Sequence, residues 1–117
     1  MNTIRLKNYG NTKMIAHRGV SGLETENTCA AFVAAGNRSY FGIETDVHRT
    51  KDGKFIIIHD DNTSRVAVDN YFVEETSYAQ LRKLQLLDTD GTKGRSDLLL
   101  PNLEEYMHKK SAFCTVL

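Results

Sequence analysis

The chain has 117 residues, 40% hydrophobic and 26% charged. That is the make-up of one soluble globular domain, not of a disordered, collagen-like or charged-tail segment. Fifteen Lys and Arg balance fifteen Asp and Glu, so the formal net charge is zero. A nucleic-acid partner, which needs a basic surface, is thereby excluded.

No apolar run approaches the ~20 residues that span a bilayer. Residues 1–13 lack the roughly 7–15-residue apolar stretch of a secretion signal. The expectation is therefore a cytoplasmic chain with no transmembrane segment. Cys29 and Cys114 suit a reducing compartment, and nothing demands a disulfide between them.

Residues 14–16 form a short apolar run that suits a buried strand, ending at His17-Arg18-Gly19. Gly19 and Gly22 mark a loop. Asn27-Thr28 is an N-cap signal, and Cys29, Phe32 and Val33 recur at the spacing of one helical face. A helix is expected over about 27–38, stopping near Gly36. Residues 41–47 read as a strand, with Ile43, Thr45 and Val47 on one face and Glu44, Asp46 and His48 on the other. Lys51-Asp52-Gly53 is a turn signature, and the apolar run at 55–58 reads as a buried strand ending at His59-Asp60.

Residues 61–76 read as loop, with an apolar island at 71–73. Ser77 is expected to cap a helix through about Leu84, and 89–97 to be loop. Asn102 caps a further helix, with Glu105 at the capping-box position and Leu103, Tyr106 and Met107 as its apolar face. Residues 113–117 are a last apolar run. Met14, Leu84, Leu86 and Leu87 are expected in the core. Strands alternating with helices predict an α/β class, helices packed on a sheet.

The chemistry-bearing residues cluster at strand ends, where α/β folds bind ligands. Glu44 and Asp46, two apart on a strand, put both carboxylates on one face about 6–7 Å apart. Such a pair suits a hard divalent cation, Mg²⁺ or Ca²⁺; on a solvated edge it would simply face water. A hairpin centred on Asp52-Gly53 would bring His59 opposite Asp46, and a parallel return would bring both to one mouth. His59 there could act as a general acid or base, or merely cap its strand. His17 adds a second imidazole, and Arg18 a guanidinium matched to phosphate oxygens. Metal, Arg and two imidazoles together suit phosphoryl transfer. His48 is expected just past the strand end and His108 on the solvated surface.

The run Ala16-His17-Arg18-Gly19, then Glu26-Asn27-Thr28, Ile43-Glu44-x-Asp46-Val47, Thr50-Lys51-Asp52-Gly53 and Ile58-His59-Asp60 resembles the glycerophosphodiester phosphodiesterase family. Arg65, Leu81 with Leu84, and residues 101–105 continue the resemblance in order. It implies a TIM-type (β/α)8 barrel of the phospholipase-C-like phosphodiesterase kind. It also implies metal-dependent hydrolysis of glycerophosphodiesters, through a cyclic phosphate, to glycerol 3-phosphate and an alcohol. By position, His17 and His59 would be the acid/base pair, Arg18 would contact the phosphate, and Glu44 and Asp46 would hold Mg²⁺ or Ca²⁺. Residues 61–100 would include a small insertion over the mouth of the site. Thr25 stands where the family has Pro.

An eight-stranded barrel needs roughly 200–250 residues, so 1–117 is expected to be about the first half of one catalytic barrel domain. The family's third metal carboxylate would fall just beyond Leu117. Half a barrel means a truncated sequence, a fragment that self-associates through open sheet edges, or a degenerate remnant; the first is favoured, with little turnover by these residues alone. Two other readings stay open. One is a phospholipase-like enzyme acting on lysolipid or sphingolipid head groups, with Tyr71-Phe72 as membrane contact. The other is a non-catalytic phosphate-binding or assembly fragment.

Overall fold

Strand β1 (Ile15–His17), helix α1 (Cys29–Gly36) and strand β2 (Gly42–Glu44) make a βαβ unit in the computed structural model, which describes residues 10–38, 40–92, 96–111 and 115–116. β1 and β2 run parallel, pairing Ala16 with Ile43 and His17 with Glu44. After helix α3 (Leu103–Ser111), strand β5 (Thr115–Val116) pairs parallel on the other side of β2. Parallel neighbours need long crossovers, and α1 and α3 lie in them. Ala16 and Ile43 turn inward against Phe32 and Ala35 of α1 and Tyr106 of α3, all buried. The rings of Phe32 and Tyr106 meet edge to face, 4.9 Å between centroids.

Thr28 starts α1. Its hydroxyl accepts from the Ala31 amide at 3.2 Å and donates to the Thr25 carbonyl at 2.7 Å. The expected helix over 27–38 is therefore shorter. Asn27 stays outside it with φ +52°, its side chain committed to the segment after β2. At α3 the expected capping box forms: Asn102 Oδ1 accepts from the Glu105 amide at 2.8 Å, and Glu105 Oε1 from the Asn102 amide at 3.0 Å. Of its expected apolar face, Tyr106 is buried and Met107 is exposed.

The single strand expected over 41–47 is two. β2 stops at Glu44, and strand β3 (Val47–Arg49) belongs to a separate antiparallel hairpin with strand β4 (Phe55–Ile57). Thr45 and Asp46 are the break, because both spend their side chains on Asn27. The strict alternation fails there: Ile43 is buried while Val47 is 43% exposed. Thr50 shapes the hairpin turn, its hydroxyl donating to Asp52 Oδ1 and accepting from the Lys54 amide, and Gly53 supplies φ +80°.

Residues 61–100 hold more structure than loop. Thr63, fully buried, donates to the Asp69 carbonyl and accepts from the Tyr71 amide. A 3₁₀ turn (Val73–Glu75) leads to helix α2 (Tyr78–Arg82), capped by Ser77 as expected but ending two residues short of Leu84. Ile56 and Ile58 pack with Val66, Val73, Leu81, Leu84, Leu86, Leu98 and Leu100 into a second core. Thr25 ties this excursion to the loop before α1 by donating to the Leu87 carbonyl at 2.8 Å.

Met14, expected in the core, is 45% exposed, as is its neighbour Ile15 at 44%. The cause is the strand order β1–β2–β5, which leaves β1 at the edge among the described residues. Within those residues no helix is long and apolar enough to cross a membrane. Cys114 lies outside the described residues, and so does the expectation that nothing joins it to Cys29.

Candidate active site

Parallel pairing of His17 with Glu44 sets both side chains at the carboxyl end of the sheet. The chain then turns sharply. Arg18 has φ +57° and Gly19 φ +78°. This turn points the Arg18 amide at Glu44 Oε2, 3.2 Å away, while His17 Nε2 stands 3.7 Å from the same oxygen. The second distance is too long for a hydrogen bond. His17 is open to solvent, its side chain 68% exposed.

The Arg18 side chain is mostly buried. Nη1 donates to Glu26 Oε2 at 2.9 Å, and Nε is 3.8 Å from Asp46 Oδ2. That Nε–H is buried and has no hydrogen-bond acceptor among the described residues. Asp46 is held by Asn27, whose amide donates to Oδ2 at 3.2 Å while its Oδ1 accepts from the Thr45 hydroxyl at 2.7 Å. Arg18 thus lies between Glu44, which its amide touches, and Asp46, while His17 lies near Glu44.

His59 comes from a different element. It follows β4, in the hairpin rather than the parallel sheet. The pairing of Val47 with Ile57 puts Asp46 across from Ile58, whose amide donates to the Asp46 carbonyl at 3.0 Å. The expected Asp46–His59 register is therefore off by one residue. His59 instead joins the site through side chains. Its Nδ1 is 2.7 Å from Asp60 Oδ1, Asp60 is gripped by Arg65, and Arg65 is gripped in turn by Glu26. Ion pairs run from Arg18 through Glu26 and Arg65 to Asp60, and a hydrogen-bond contact carries the chain on to His59. His48 lies within β3, not past the strand end, and its Nε2 meets the His59 carbonyl at 2.8 Å. His108 is on the exposed surface, as expected.

The charges respond accordingly. Hydrogen bonds from Arg65 and then His59 hold the Asp60 carboxyl at about 2, well below its ordinary value. Burial pushes the Glu26 carboxyl up, but hydrogen bonds and charge from Arg65 and Arg18 outweigh it and leave Glu26 below the ordinary range. Glu26 and Asp60 raise Arg65 further above its already high value.

Glu26, Asp60 and Arg65 were visible only as motif letters. The sequence signal was charge of both signs beside His17 and His59, but nothing in a linear string pairs Glu26 with a residue 39 positions on. A groove of about 440 Å³ along the outer side of α1, lined by Leu23, Cys29, Val33 and Arg38 among others, includes none of these residues.

Residues 17–116 match the model of the Glycerophosphoryl diester phosphodiesterase family. The chain belongs to this family. Family members are phosphoric diester hydrolases on a TIM-type barrel, and this chain carries the N-terminal part of that barrel. A glycerophosphodiester phosphodiesterase of Caldanaerobacter subterraneus subsp. tengcongensis is 42% identical over 73 residues, 62% of this chain and 30% of that protein. The uncharacterized protein YqiK of Bacillus subtilis is 36% identical over 96 residues, 82% of this chain and 39% of YqiK. The structure of an Oleispira antarctica phosphodiesterase in complex with the product sn-glycerol-3-phosphate superposes with a TM-score of 0.82 at 30% identity, covering 90% of this chain and 42% of that one. The chain thus spans about two fifths or less of the length of these relatives.

Proposed function

We propose that the protein carrying these residues hydrolyses glycerophosphodiesters to glycerol 3-phosphate and an alcohol, with a divalent cation. The observation that carries this reading is the Arg18 Nε–H, buried without an acceptor among the described residues, beside two carboxylates and an exposed imidazole. A buried donor without a partner is costly, and a phosphate oxygen is the natural acceptor for a guanidinium. The product named in the Oleispira structure is such a phosphate.

The residues fit a hard cation in part. Each of Glu44 and Asp46 uses one oxygen on protein donors and leaves the other without one among the described residues. No group of three His, Cys, Asp or Glu side chains there could hold an ion by itself. Glu44 and Asp46 would supply two of the oxygens that Mg²⁺ or Ca²⁺ requires, the remainder coming from water, substrate or residues outside this span. The cation, when bound, would offset negative charge on the phosphoryl oxygens. Arg18 would orient the phosphate, and His17 and His59 would move the protons of the attacking and departing oxygens.

Residues 61–100 would cover the mouth of the site, a reading supported by Arg65 reaching from that excursion to Glu26. The cytoplasm would be its setting, which fractionation tests. The 117 residues by themselves would turn over little and would self-associate along the β1 edge, where Met14 and Ile15 are exposed.

The experiment is hydrolysis of glycerophosphocholine by the protein encoded by the intact gene, with and without Mg²⁺ or Ca²⁺. Release of glycerol 3-phosphate should stop on chelation and fall by about 10²-fold or more in His17→Ala and His59→Ala. Glu44→Gln should weaken cation binding in calorimetry. Wild-type turnover in both histidine variants would end the catalytic reading. Robust, chelator-sensitive turnover by the 117 residues alone would refute the expectation that they need more.

A further inference from the structure

Arg65 stands between two carboxylates. Nε and Nη2 donate to the two oxygens of Asp60 at 2.9 and 3.2 Å, and Nη1 and Nη2 donate to the two oxygens of Glu26, the latter at 3.1 Å. Only a planar guanidinium, with five donors in a fixed fork, satisfies two carboxylates at once; a lysine ammonium does not. Glu26 also accepts from Arg18 at 2.9 Å, so one carboxylate anchors both arginines.

At the other end, Asp60 Oδ1 meets His59 Nδ1 at 2.7 Å. An ionised carboxylate only accepts. Nδ1 therefore carries the proton, and Nε2 of the neutral ring is left as the acceptor. Asp60, with its carboxyl held at about 2, stays ionised over any working pH. The other titratable neighbour, His48, meets the His59 carbonyl rather than the ring.

We propose that Arg65 is a positioning residue: braced by Glu26, it fixes the Asp60 carboxylate against His59 Nδ1 and so holds His59 with Nε2 as its proton-accepting atom. The kinetic side of this inference rests on the proposed hydrolysis; the tautomer does not. Exposed ion pairs contribute little to stability, and the Arg65 side chain is 47% exposed. Its pairing with two carboxylates instead suits setting the direction of a ring.

The test uses the protein encoded by the intact gene, with glycerophosphocholine and Mg²⁺, and nitrogen-15 NMR of the His59 ring. Wild type should show the Nδ1–H tautomer. Asp60→Asn and Arg65→Gln should shift the neutral ring toward Nε2–H and lower kcat by about 10–100-fold, with KM within about threefold. Arg65→Lys, charged but without the fork, should not restore the tautomer. A wild-type Nε2–H tautomer overturns the inference. So does Arg65→Gln with an unchanged tautomer, whatever its kcat, because Arg65 would then act only on the fold. If Arg65→Gln does not fold, Asp60→Asn decides by the same signal. Absence of hydrolysis by wild type, with the tautomer shifting as stated, overturns the proposed function and supports the positioning role.

Discussion

The Tyr106 hydroxyl donates to the carbonyl of Ile43 at 2.6 Å, fastening α3 to the strand residue immediately before Glu44. Both groups are buried, so the bond has no water to replace it. Tyr106→Phe keeps the edge-to-face contact with Phe32 and removes only the hydroxyl. It should cost about 1–2 kcal/mol, read as a lower urea midpoint at unchanged slope. A midpoint equal to wild type would show that the bond does not fasten the strand.

Gly19 is required twice over. Its φ of +78° is left-handed, and a Cβ there would meet Ala31 Cβ at 2.7 Å and the Ala31 backbone at 2.8 Å. The turn after β1 is thereby pressed against the first turn of α1, with the Val20 amide donating to the Ala31 carbonyl at 3.2 Å. Gly19→Ala should destabilise by about 2–4 kcal/mol, strain and overlap together. It should also move Arg18 off Glu44, so cation and phosphate binding should fall with stability. Thermal unfolding and calorimetry on one preparation check both; a variant as stable as wild type would contradict the steric argument.

Local signals were legible in the sequence where one residue type had one job. The Thr28 and Ser77 caps, the Asn102–Glu105 capping box and the Gly53 turn each follow from side-chain chemistry within four residues. The proximity of His17, Arg18 and Glu44 was legible because parallel strands deliver their ends together. The break at Thr45-Asp46 was not, since it depends on Asn27, 18 positions earlier, adopting a left-handed backbone and claiming both side chains. The second core built on 61–100 was hidden for the same reason: isolated apolar residues such as Val66 and Leu98 carry no period, and only tertiary folding gathers them.

Arg18 offers a buried donor to whatever anion enters. Arg18→Lys retains the charge but loses both the fork and the Nε–H. With one charge-assisted hydrogen bond worth about 1.5–3 kcal/mol, affinity for glycerol 3-phosphate should fall by about 10–100-fold, and KM for a glycerophosphodiester should rise with it. Product-inhibition constants measure the first directly. Equal inhibition of wild type and variant would place the phosphate elsewhere.

Asp60 makes the ion-pair chain sensitive to acid. Its carboxyl sits at about 2 in the folded chain against an ordinary 3.8, lowered by Arg65 and His59. A depressed folded value means that the unfolded chain binds the proton more readily. The stabilisation is therefore complete above about pH 4 and disappears as pH falls toward about 2. Because the group is partly exposed and its partner Arg65 more so, the size is small and screened by salt. In low salt, the stability difference between wild type and Asp60→Asn should shrink as pH falls through the window between the two values, from about 4 to about 2. High salt should flatten the whole profile. A difference that grows between about pH 4 and about 2 would mean the folded carboxyl lies above its ordinary value, and the Arg65–Asp60 pairing would have to be abandoned.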